Sequence, residues 1–385
     1  MDQSGAGAVL PRPDAQLASI ARRFELSGDP VAIEPLGNGN VNDTWRVTVH
    51  PAAGVPQRLV LQRINPRVFT RPELVMANMQ RLAAHLERPG ALECASGRWE
   101  MPRILAVSGQ QQPWLEHEGA LWRLLTYIED SRTLETIETP HQAREVGRAL
   151  GTFHALIQAL PAEDLADTLE GFHVTPGYLR QFERALRTTT VPLTPQVQHC
   201  IAFVRDREAF MPVLEDARQA GKLCLRPIHG DPKVNNILFD ATSESAIALI
   251  DLDTVKPGLI HYDIGDCLRS GCNRQGEESE DWQSVRFDLQ LCEAILQGYI
   301  AAARPFLTAA DYDHIPEAIR LLSLELGLRF LSDHLAGDLY FRTSRPRHNL
   351  QRALVQFRLT ESIETQLAQI RAIVERLRTS GAGHG

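Results

Sequence analysis

One segment of the chain, residues 228–253, contains side chains whose types and spacing could carry out chemistry. It reads IHGDPKVNNILFDATSESAIALIDLD, with two apolar runs separated by a polar turn. Two short apolar runs joined in this way predict a pair of antiparallel strands. Such pairing would bring Asp231 and Asn236, which precede the first run, close to Asp251, which follows the second.

Together with Lys233, these residues would place two carboxylates, an amide and an ammonium group in one small volume. Oxygen donors of this kind suit a hard divalent cation such as Mg²⁺, which keeps positions open for phosphate oxygens. A buried cluster of like charges without a cation would be unfavourable. The alternative is an ordinary surface hairpin with capping Asp and Asn residues. The spacing of the four residues named above favours the cation site.

The elements that must position these side chains change character near residue 130. Before it, alternating segments predict five strands, at residues 31–36, 44–49, 59–64, 104–107 and 121–128. Helical spacing of apolar residues predicts helices at residues 14–24, 72–86, 139–160, 178–187, 197–217, 282–303, 312–335 and 350–377. The chain therefore divides into a sheet-rich N-terminal part and a mainly helical C-terminal part that contains the strand pair.

Composition and charge exclude several classes of protein. The 385 residues are 43% hydrophobic and 23% charged, which is typical of globular proteins and excludes disordered and fibrous ones. The net charge of −8 argues against a nucleic-acid partner, which would require a basic surface. No apolar stretch reaches 18 residues, so no membrane span is expected. Without a signal-peptide pattern or a C-x-x-C pair among six cysteines, we expect a cytoplasmic protein with reduced thiols.

The segment HGDPKVNN resembles the catalytic loop H-R-D-x-K-x-x-N of the protein-kinase-like fold. Its glycine is similar to that of aminoglycoside phosphotransferases and choline kinases, and the segment 251–253 resembles their I-D-x-D motif. Within that superfamily, four runs resemble N-acetylhexosamine 1-kinases: LQRIN at 61–65, HGDPKVNNILFD at 229–240, LIDLDTVKPGLIHYDIGDCLRS at 249–270 and ELGLRFLSDHLAGDLYFR at 325–342.

This resemblance implies an α+β, protein-kinase-like bilobal fold. An antiparallel-sheet lobe over residues 1–127 would bind nucleotide, and a mainly helical lobe over residues 128–385 would carry the catalytic and acceptor sites. The implied reaction uses ATP and Mg²⁺ to phosphorylate the anomeric hydroxyl of N-acetylglucosamine or N-acetylgalactosamine. The expected partner is thus a small-molecule acceptor, preferably an amino sugar. Kinases of aminoglycosides, choline or homoserine, and a non-catalytic nucleotide-binding scaffold, stay open as alternatives.

The resemblance also implies roles within the cluster. Asp231 would accept the proton of the acceptor hydroxyl, and Lys233 would lie beside the transferred phosphoryl group. Asn236 and Asp251 would hold Mg²⁺, whereas Asp253 would either ligate the metal or fix the loop. Phosphoryl transfer depends mainly on positioning and charge neutralisation, which this set of residues can provide.

Further polar residues are expected to support the same loop. His229 would order the loop, and Asp263 and Asp266 would stabilise it or cap a helix. His154 lies on the apolar face of its predicted helix, so a core histidine with satisfied hydrogen bonds is expected there.

Nucleotide binding is expected in the N-terminal part. Gly37 and Gly39, between the first two strands, fit a loop whose backbone approaches phosphates, although Asn42 replaces the third glycine of the usual pattern. The backbone near Tyr127 and Ile128, in the segment that connects the lobes, would bind the adenine edge.

The third strand, LVLQRI, departs from the kinase pattern because it has no lysine. Gln62 and Arg63 are the candidates for that position, and strand alternation puts them on opposite faces without choosing between them. Arg63 is preferred because it keeps a permanent cation with several donors for phosphate oxygens.

Acceptor binding is expected in the helical part. Polar residues in apolar surroundings could bond the hydroxyl groups of a sugar, namely Arg269, Arg329, Asp333, Asp338 and Tyr340. Each could instead form a salt bridge or cap a helix. The acidic run at 277–281 predicts a solvated loop, with attraction of a cationic substrate as the alternative.

Overall fold

The computed structural model describes residues 14–37, 41–93 and 95–380. Packing divides the chain into two compact units, residues 1–80 with 101–129 and residues 81–100 with 130–385. The first unit contains an antiparallel sheet and the second is mainly helical, which confirms the expected α+β class. The functional boundary expected after residue 127 stays a prediction.

The first unit is built on a five-stranded antiparallel sheet in the order β1-β2-β3-β5-β4. The strands are β1 (Gly28–Pro35), β2 (Asp43–Pro51), β3 (Gln57–Ile64), β4 (Leu115–His117) and β5 (Ala120–Thr126). Helix α1 (Ala15–Ala21) begins at Asp14, whose carboxylate accepts the first free backbone N–H groups. Apolar residues of α1 form one buried cluster with one face of the sheet, including Leu59, Leu61 and Trp122. Helix α2 (Pro72–Leu86) follows β3.

Residues 104–107 are not the strand that their apolar pattern predicts. They make only two isolated bridges, Ile104 to Leu125 and Val107 to Phe24. The reason is that the backbone leaves the sheet after one pair and bonds instead to the chain that follows α1, where the N–H of Glu25 donates to the carbonyl of Ala106. The edge strand is β4, whose three residues are too few to produce a recognisable period.

The second unit contains two small antiparallel sheets among helices. One sheet has three strands in the order β6 (Ser131–Arg132), β8 (Ile237–Asp240) and β9 (Ala246–Leu249). The other pairs β7 (Arg226–Ile228) with β10 (Lys256–Gly258). The helices are α3 (Pro140–Ile157), α4 (Thr175–Thr188), α5 (Pro195–Arg205), α6 (Val213–Gln219), α7 (Ile260–Gly271), α8 (Leu289–Ala303), α9 (Ala309–Ala336), α10 (His348–Thr365) and α11 (Leu367–Thr379).

Helices α4, α5, α9 and α10 enclose a large apolar core. Helices α3 and α8 approach so closely that only glycine fits at their crossing: a Cβ on Gly147 would lie 1.8 Å from the carbonyl oxygen of Ile295, and one on Gly298 1.9 Å from that of Arg144. A Cβ on Gly265 of α7 would lie 2.6 Å from the carbonyl oxygen of Ala318 in α9. These contacts fix α3 and α7, which supply residues to the site described below.

Three helix predictions differ from the structure in extent. The predicted helix at 197–217 is broken into α5, a short 3₁₀ turn and α6 because Pro212 has no N–H to continue the helical bonding. The predicted helix at 350–377 is two helices that meet at Gln366. The predicted helix at 282–303 starts later, where Asp288 caps α8. Among the helices of the described ranges, none combines the length and apolar character that crossing a bilayer requires.

Candidate active site

The strand pair β8 and β9 creates the end of the hairpin at which the polar residues meet. The strands are antiparallel, with Ile237 opposite Leu249. One step further, the N–H of Ile250 donates to the carbonyl of Asn236 at 2.8 Å. Asn236 directly precedes β8, and Asp251 comes shortly after β9. This register therefore places both residues at the same end of the hairpin, as the two apolar runs predict.

Asp231, Lys233 and Asn236 contact one another directly. The ammonium of Lys233 lies 2.8 Å from Oδ2 of Asp231. The amide nitrogen of Asn236 donates to the carbonyl of Asp231 at 2.8 Å and lies 3.3 Å from Oδ2. The side chains of Asp231 and Lys233 are 28% and 35% exposed, so a ligand can reach both.

The charge of Lys233 is stabilised by its surroundings. Burial favours the neutral amine, but the carboxylates of Asp231 and Asp251 outweigh burial and raise the pKa of Lys233 well above its ordinary value. Lys233 is therefore a fixed cation at neutral pH. The charge of Asp251 therefore acts on Lys233, as expected if both belong to one cluster.

Asp251 adopts a strained backbone conformation. Its φ of 67° and ψ of 58° are left-handed, and a short 3₁₀ turn from Leu252 to Thr254 follows. Left-handed non-glycine residues are uncommon and tend to occur at functional sites. Asp253 is buried, and its carbonyl accepts the hydroxyl of Thr168 at 2.9 Å.

The donor set at the end of the hairpin fits a hard divalent cation. The amide nitrogen of Asn236 is used on Asp231, which leaves its amide oxygen as a possible ligand beside the carboxylate of Asp251. Within the part of the chain that the structure describes, no three His, Cys, Asp or Glu side chains gather to hold a metal by themselves. A cation here would therefore take further ligands from phosphate oxygens and water, as Mg²⁺ commonly does.

Asp263 of α7 fixes the backbone of the loop that carries Asp231. Its carboxylate accepts the N–H of His229 at 2.7 Å and that of Gly230 at 2.8 Å. The same carboxylate lies 2.8 Å from Nε2 of His154, whose Nδ1 lies 3.1 Å from the hydroxyl of Tyr299. His154 is thus a buried histidine whose two ring nitrogens both have partners, and Asp263 stabilises the loop.

The ring of His229 links both halves of the hairpin end. Its Nδ1 accepts the N–H of Asp231 at 3.2 Å, and its Nε2 donates to the carbonyl of Ile250 at 2.9 Å. Burial lowers the pKa of His229, which agrees with the neutral tautomer that these two bonds require. The two bonds hold the backbone of Asp231 and of Ile250 on either side of the ring, as expected for a residue that orders the loop.

Three of the five residues considered for the acceptor are engaged within the protein. The buried guanidinium of Arg269 pairs with Asp266 at 2.8 Å and with Glu277 at 2.6 Å. The carboxylate of Asp333 accepts three consecutive backbone N–H groups, those of residues 339–341, and the amide of Asn349. Asn349 also donates to Asp338 at 2.8 Å. These bonds support the salt-bridge and capping alternative for all three.

Arg329 and Tyr340 differ from that group. The guanidinium of Arg329 lies over the rings of Phe172 and Tyr178, 5.0 Å from each centroid, and 5.5 Å from that of Phe341. It makes no hydrogen bond or salt bridge to any residue in the described ranges. The ring of Tyr340 is 56% exposed and packs edge-on against Phe341. Both side chains can therefore contact a ligand.

The acidic run at 277–281 lies at the surface, and two of its carboxylates form ion pairs. Glu278 bonds Arg352 at 2.5 Å and also pairs with His348, while Glu277 bonds Arg269. These carboxylates pair with one basic residue of α7, eight positions earlier, and with two of α10. The run is still exposed at residues 278, 280 and 281, as expected for a solvated loop.

In the first unit, the structure separates Gln62 from Arg63. Gln62 lies opposite Arg123 in the register of β3 and β5, and Nε of Arg123 donates to its amide oxygen at 2.9 Å. Arg123 is almost fully buried and reaches α2, where it lies 2.9 Å from the sulfur of Met79. Arg63 lies on the other face, which packs against α1, and pairs with Asp43 at 2.5 Å. The contact of either residue with phosphate stays a prediction.

The remaining residues expected at the nucleotide are partly described. Gly37 has a left-handed φ of 71°, which suits the bend of a glycine-containing loop. Gly39 lies outside the described residues. Tyr127 and Ile128 directly follow β5; the ring of Tyr127 contacts the guanidinium of Arg58, and Ile128 is buried. Their contact with adenine stays a prediction.

Comparison with known proteins identifies the family. The model of the phosphotransferase enzyme family (APH) matches residues 32–309, which is most of the chain. The chain therefore belongs to that family. Its fold is the protein-kinase-like fold of the family, with an antiparallel sheet followed by a helical region.

Solved structures of distant relatives share this fold. A microcompartment-associated aminopropanol kinase is 17% identical, with a TM-score of 0.60 over 95% of this chain and 98% of that one. An aminoglycoside phosphotransferase from Alicyclobacillus acidocaldarius is 16% identical, with a TM-score of 0.55 over 93% and 96%. An amicoumacin kinase in complex with AMP-PNP, Ca²⁺ and Ami is 14% identical, with a TM-score of 0.57 over 95% and 94%. At such identities the likeness establishes the fold alone.

Proposed function

We propose that this protein is an ATP- and Mg²⁺-dependent kinase that phosphorylates the anomeric hydroxyl of an N-acetylhexosamine to give the sugar 1-phosphate. The observation that carries the proposal is the cluster at the end of the β8–β9 hairpin, where Asp231, Lys233, Asn236 and Asp251 meet on a loop that Asp263 holds in place. Membership of a phosphotransferase family supports the reaction class.

Asp231 is the proposed proton acceptor. Its Oδ2 is bonded by Lys233 and faces the amide of Asn236, while Oδ1 has no partner among the described residues and can accept the acceptor's hydroxyl proton. Lys233 carries the charge that would neutralise the transferred phosphoryl oxygens. Positioning and charge neutralisation of this kind provide most of the rate in phosphoryl transfer.

Asn236 and Asp251 are the proposed metal ligands. When bound, Mg²⁺ would neutralise the charge on the nucleotide phosphates. Asp253 would either ligate the cation or fix the loop, and the bond between its carbonyl and Thr168 supports the second role. The amicoumacin kinase complex with AMP-PNP and Ca²⁺ supports the use of a nucleotide with a divalent metal.

The first unit is the proposed nucleotide-binding part. Gly37 and Gly39 would approach the phosphates, and the backbone of Tyr127 and Ile128 would bind adenine. For the phosphate anchor, Gln62 is preferred to Arg63, because the buried Arg123 orients the Gln62 amide, whereas Arg63 is paired with Asp43 on the other face of the sheet.

The surroundings of Arg329 support a neutral, hydroxyl-rich acceptor. An arginine with uncommitted donors would repel a cationic aminoglycoside or choline, and Glu277 and Glu278 are already paired with basic side chains. An N-acetylhexosamine offers carbonyl and hydroxyl acceptors to a guanidinium, and its ring can pack against the exposed face of Tyr340. Arg269, Asp333 and Asp338 would then shape the walls of this region through their internal bonds.

A second candidate is a kinase of a small alcohol that carries a carboxylate, such as homoserine. One observation favours it: Arg329 has no carboxylate partner among the described residues, so it could pair with an anionic substrate. The amino sugar is preferred because the aromatic side chains beside Arg329 suit a sugar ring.

A substrate panel separates these proposals. The purified protein would be incubated with ATP, Mg²⁺ and, in separate reactions, N-acetylglucosamine, N-acetylgalactosamine, homoserine, choline and an aminoglycoside, with ADP release as the readout. We expect turnover with the amino sugars, and phosphorus NMR should show a 1-phosphate and no 6-phosphate. Turnover with homoserine alone would support the second candidate, and nucleotide binding without turnover on any acceptor would indicate a non-catalytic scaffold.

A further inference from the structure

His173 is a buried residue for which sequence analysis assigns no role. It lies just before α4 with a left-handed φ of 66°, and its side chain is 4% exposed. Its ring packs against Phe172 and Tyr262, with centroid distances of 4.0 and 5.5 Å. A histidine buried among aromatic rings in a strained conformation needs strong partners for its two ring nitrogens.

Both ring nitrogens of His173 face oxygen atoms. Nε2 lies 2.8 Å from the carbonyl oxygen of Gly230, and Nδ1 lies 2.8 Å from Oε1 of Glu325 in α9. A carbonyl oxygen can only accept, so Nε2 carries a hydrogen. The other oxygen of Glu325 accepts the hydroxyl of Thr175, as expected for an ionised carboxylate. Two acceptors around one ring indicate that His173 is an imidazolium.

Other ionisable groups surround this pair. Helix α7 contributes Asp266 and Tyr262, α9 contributes Arg329 next to Glu325, and α4 contributes Tyr178, whose hydroxyl accepts the backbone N–H of His173. Burial favours the neutral ring, but Glu325 and, to a smaller extent, Asp266 outweigh it and raise the pKa of His173.

The partner of His173, the carbonyl of Gly230, belongs to the peptide bond that leads into Asp231. The N–H of Asp231 on that same peptide donates to His229, and the N–H of Gly230 donates to Asp263. Gly230 has a φ of 89°, and a Cβ there would lie 2.6 Å from the carbonyl oxygen of Thr254. Among the described residues, His173 therefore supplies the hydrogen bond on the carbonyl side of the peptide that leads into Asp231.

We propose that His173 is a positioning residue for phosphoryl transfer: its imidazolium, paired with Glu325, holds the carbonyl of Gly230 and thereby the orientation of the Asp231 carboxylate. This inference rests on the proposed function. Without the imidazolium, the Gly230–Asp231 peptide can rotate and move the proton acceptor away from the acceptor hydroxyl. A misplacement of about 1 Å at a reacting group can lower the rate about 100-fold.

Glu325→Gln tests the proposal with the least change in shape. The amide keeps the size of the side chain but removes the negative charge that keeps His173 protonated. We expect kcat to fall at neutral and alkaline pH and to recover at mildly acidic pH, with little change in KM for acceptor or nucleotide. Wild type should lose activity only at higher pH. Glu317→Gln, the same substitution at another position of α9, where the carboxylate pairs with the exposed Arg371, should leave the pH profile unchanged.

Nitrogen NMR of the full-length protein with labelled histidine provides a second readout that does not depend on activity. His173→Asn identifies the His173 signals by their loss. Two protonated ring nitrogens at neutral pH in wild type, with titration shifted to lower pH by Glu325→Gln, would support the proposal. A neutral His173 ring, or a Glu325→Gln enzyme with an unchanged pH profile, would overturn it. A wild type without kinase activity would instead overturn the proposed function, whatever the protonation state of His173.

Discussion

The ammonium of Lys233 lies 2.8 Å from the carboxylate of Asp231, two residues earlier in the same loop. Because this contact uses Oδ2, it orients Asp231 and leaves Oδ1 for the acceptor. The proposed proton acceptor and the cation that would neutralise the transferred group are thus held together by a local bond. Loss of either side chain should affect the chemical step more than the binding of substrates.

Lys233→Met should lower kcat by about 100- to 1,000-fold, because a preorganised charge that acts on the transition state is removed. Nucleotide affinity, measured by titration calorimetry, should change much less. Lys222→Met, at an exposed lysine of the same unit, serves as the control and should leave kcat unchanged. A Lys233→Met enzyme with wild-type kcat would contradict the role of Lys233.

Asp251→Ala should weaken the binding of the Mg²⁺–nucleotide complex, since one of two proposed protein ligands is lost. The binding of nucleotide without metal should be nearly unaffected, so calorimetry with and without Mg²⁺ measures the difference. Asp251→Asn is the matched control for the backbone, because asparagine tolerates the left-handed conformation found here. If Mg²⁺ increased the nucleotide affinity of Asp251→Ala as much as that of the wild type, Asp251 would not be the metal ligand.

The phosphate anchor can be tested by comparing two neighbouring residues. Gln62→Ala should raise KM for ATP, because it removes the amide that the buried Arg123 holds in place. Arg63→Ala should change KM for ATP little, because Arg63 pairs with Asp43 on the other face of the sheet. Steady-state kinetics at saturating acceptor measures both. The opposite order of effects would restore Arg63 as the anchor.

Gly147→Ala should destabilise the protein because the added Cβ would lie 1.8 Å from a carbonyl oxygen of α8. Overpacking of this kind typically reduces the free energy of unfolding by about 1–3 kcal/mol. Gly177→Ala in α4 is the control, since a Cβ there meets only the end of the Arg180 side chain, 3.8 Å away. Thermal denaturation should show a lower Tm for the first variant and an equal or higher Tm for the second. Equal Tm values for both would contradict the close crossing.

The candidate catalytic cluster is predictable from the sequence because its members are close in the chain. Asp231, Lys233 and Asn236 fall within six residues, and one short hairpin brings Asp251 to them. Strand and helix identity follow from apolar spacing in most of the chain. The exceptions have local causes, such as the helix break before α6 at Pro212 and the three-residue strand β4.

Residues that hold the loop from elsewhere could not be predicted in the same way. His173 and Glu325 are separated by 152 residues, and no pattern in the sequence connects them. Asp333 illustrates the opposite difficulty. The sequence makes it a candidate for binding the acceptor, but its carboxylate accepts hydrogen bonds from backbone N–H groups of the following loop. Only packing decides whether a polar side chain faces a ligand or its own chain.

The kinase activity of Asp231→Asn tests the central claim most directly. The amide keeps the size of the side chain but cannot accept a proton at neutral pH, so kcat should fall by about 100- to 10,000-fold. Nucleotide affinity, measured by titration calorimetry, and Tm should stay close to wild type. An Asp231→Asn enzyme that binds nucleotide and turns over at the wild-type rate would contradict the assignment of Asp231 as the proton acceptor.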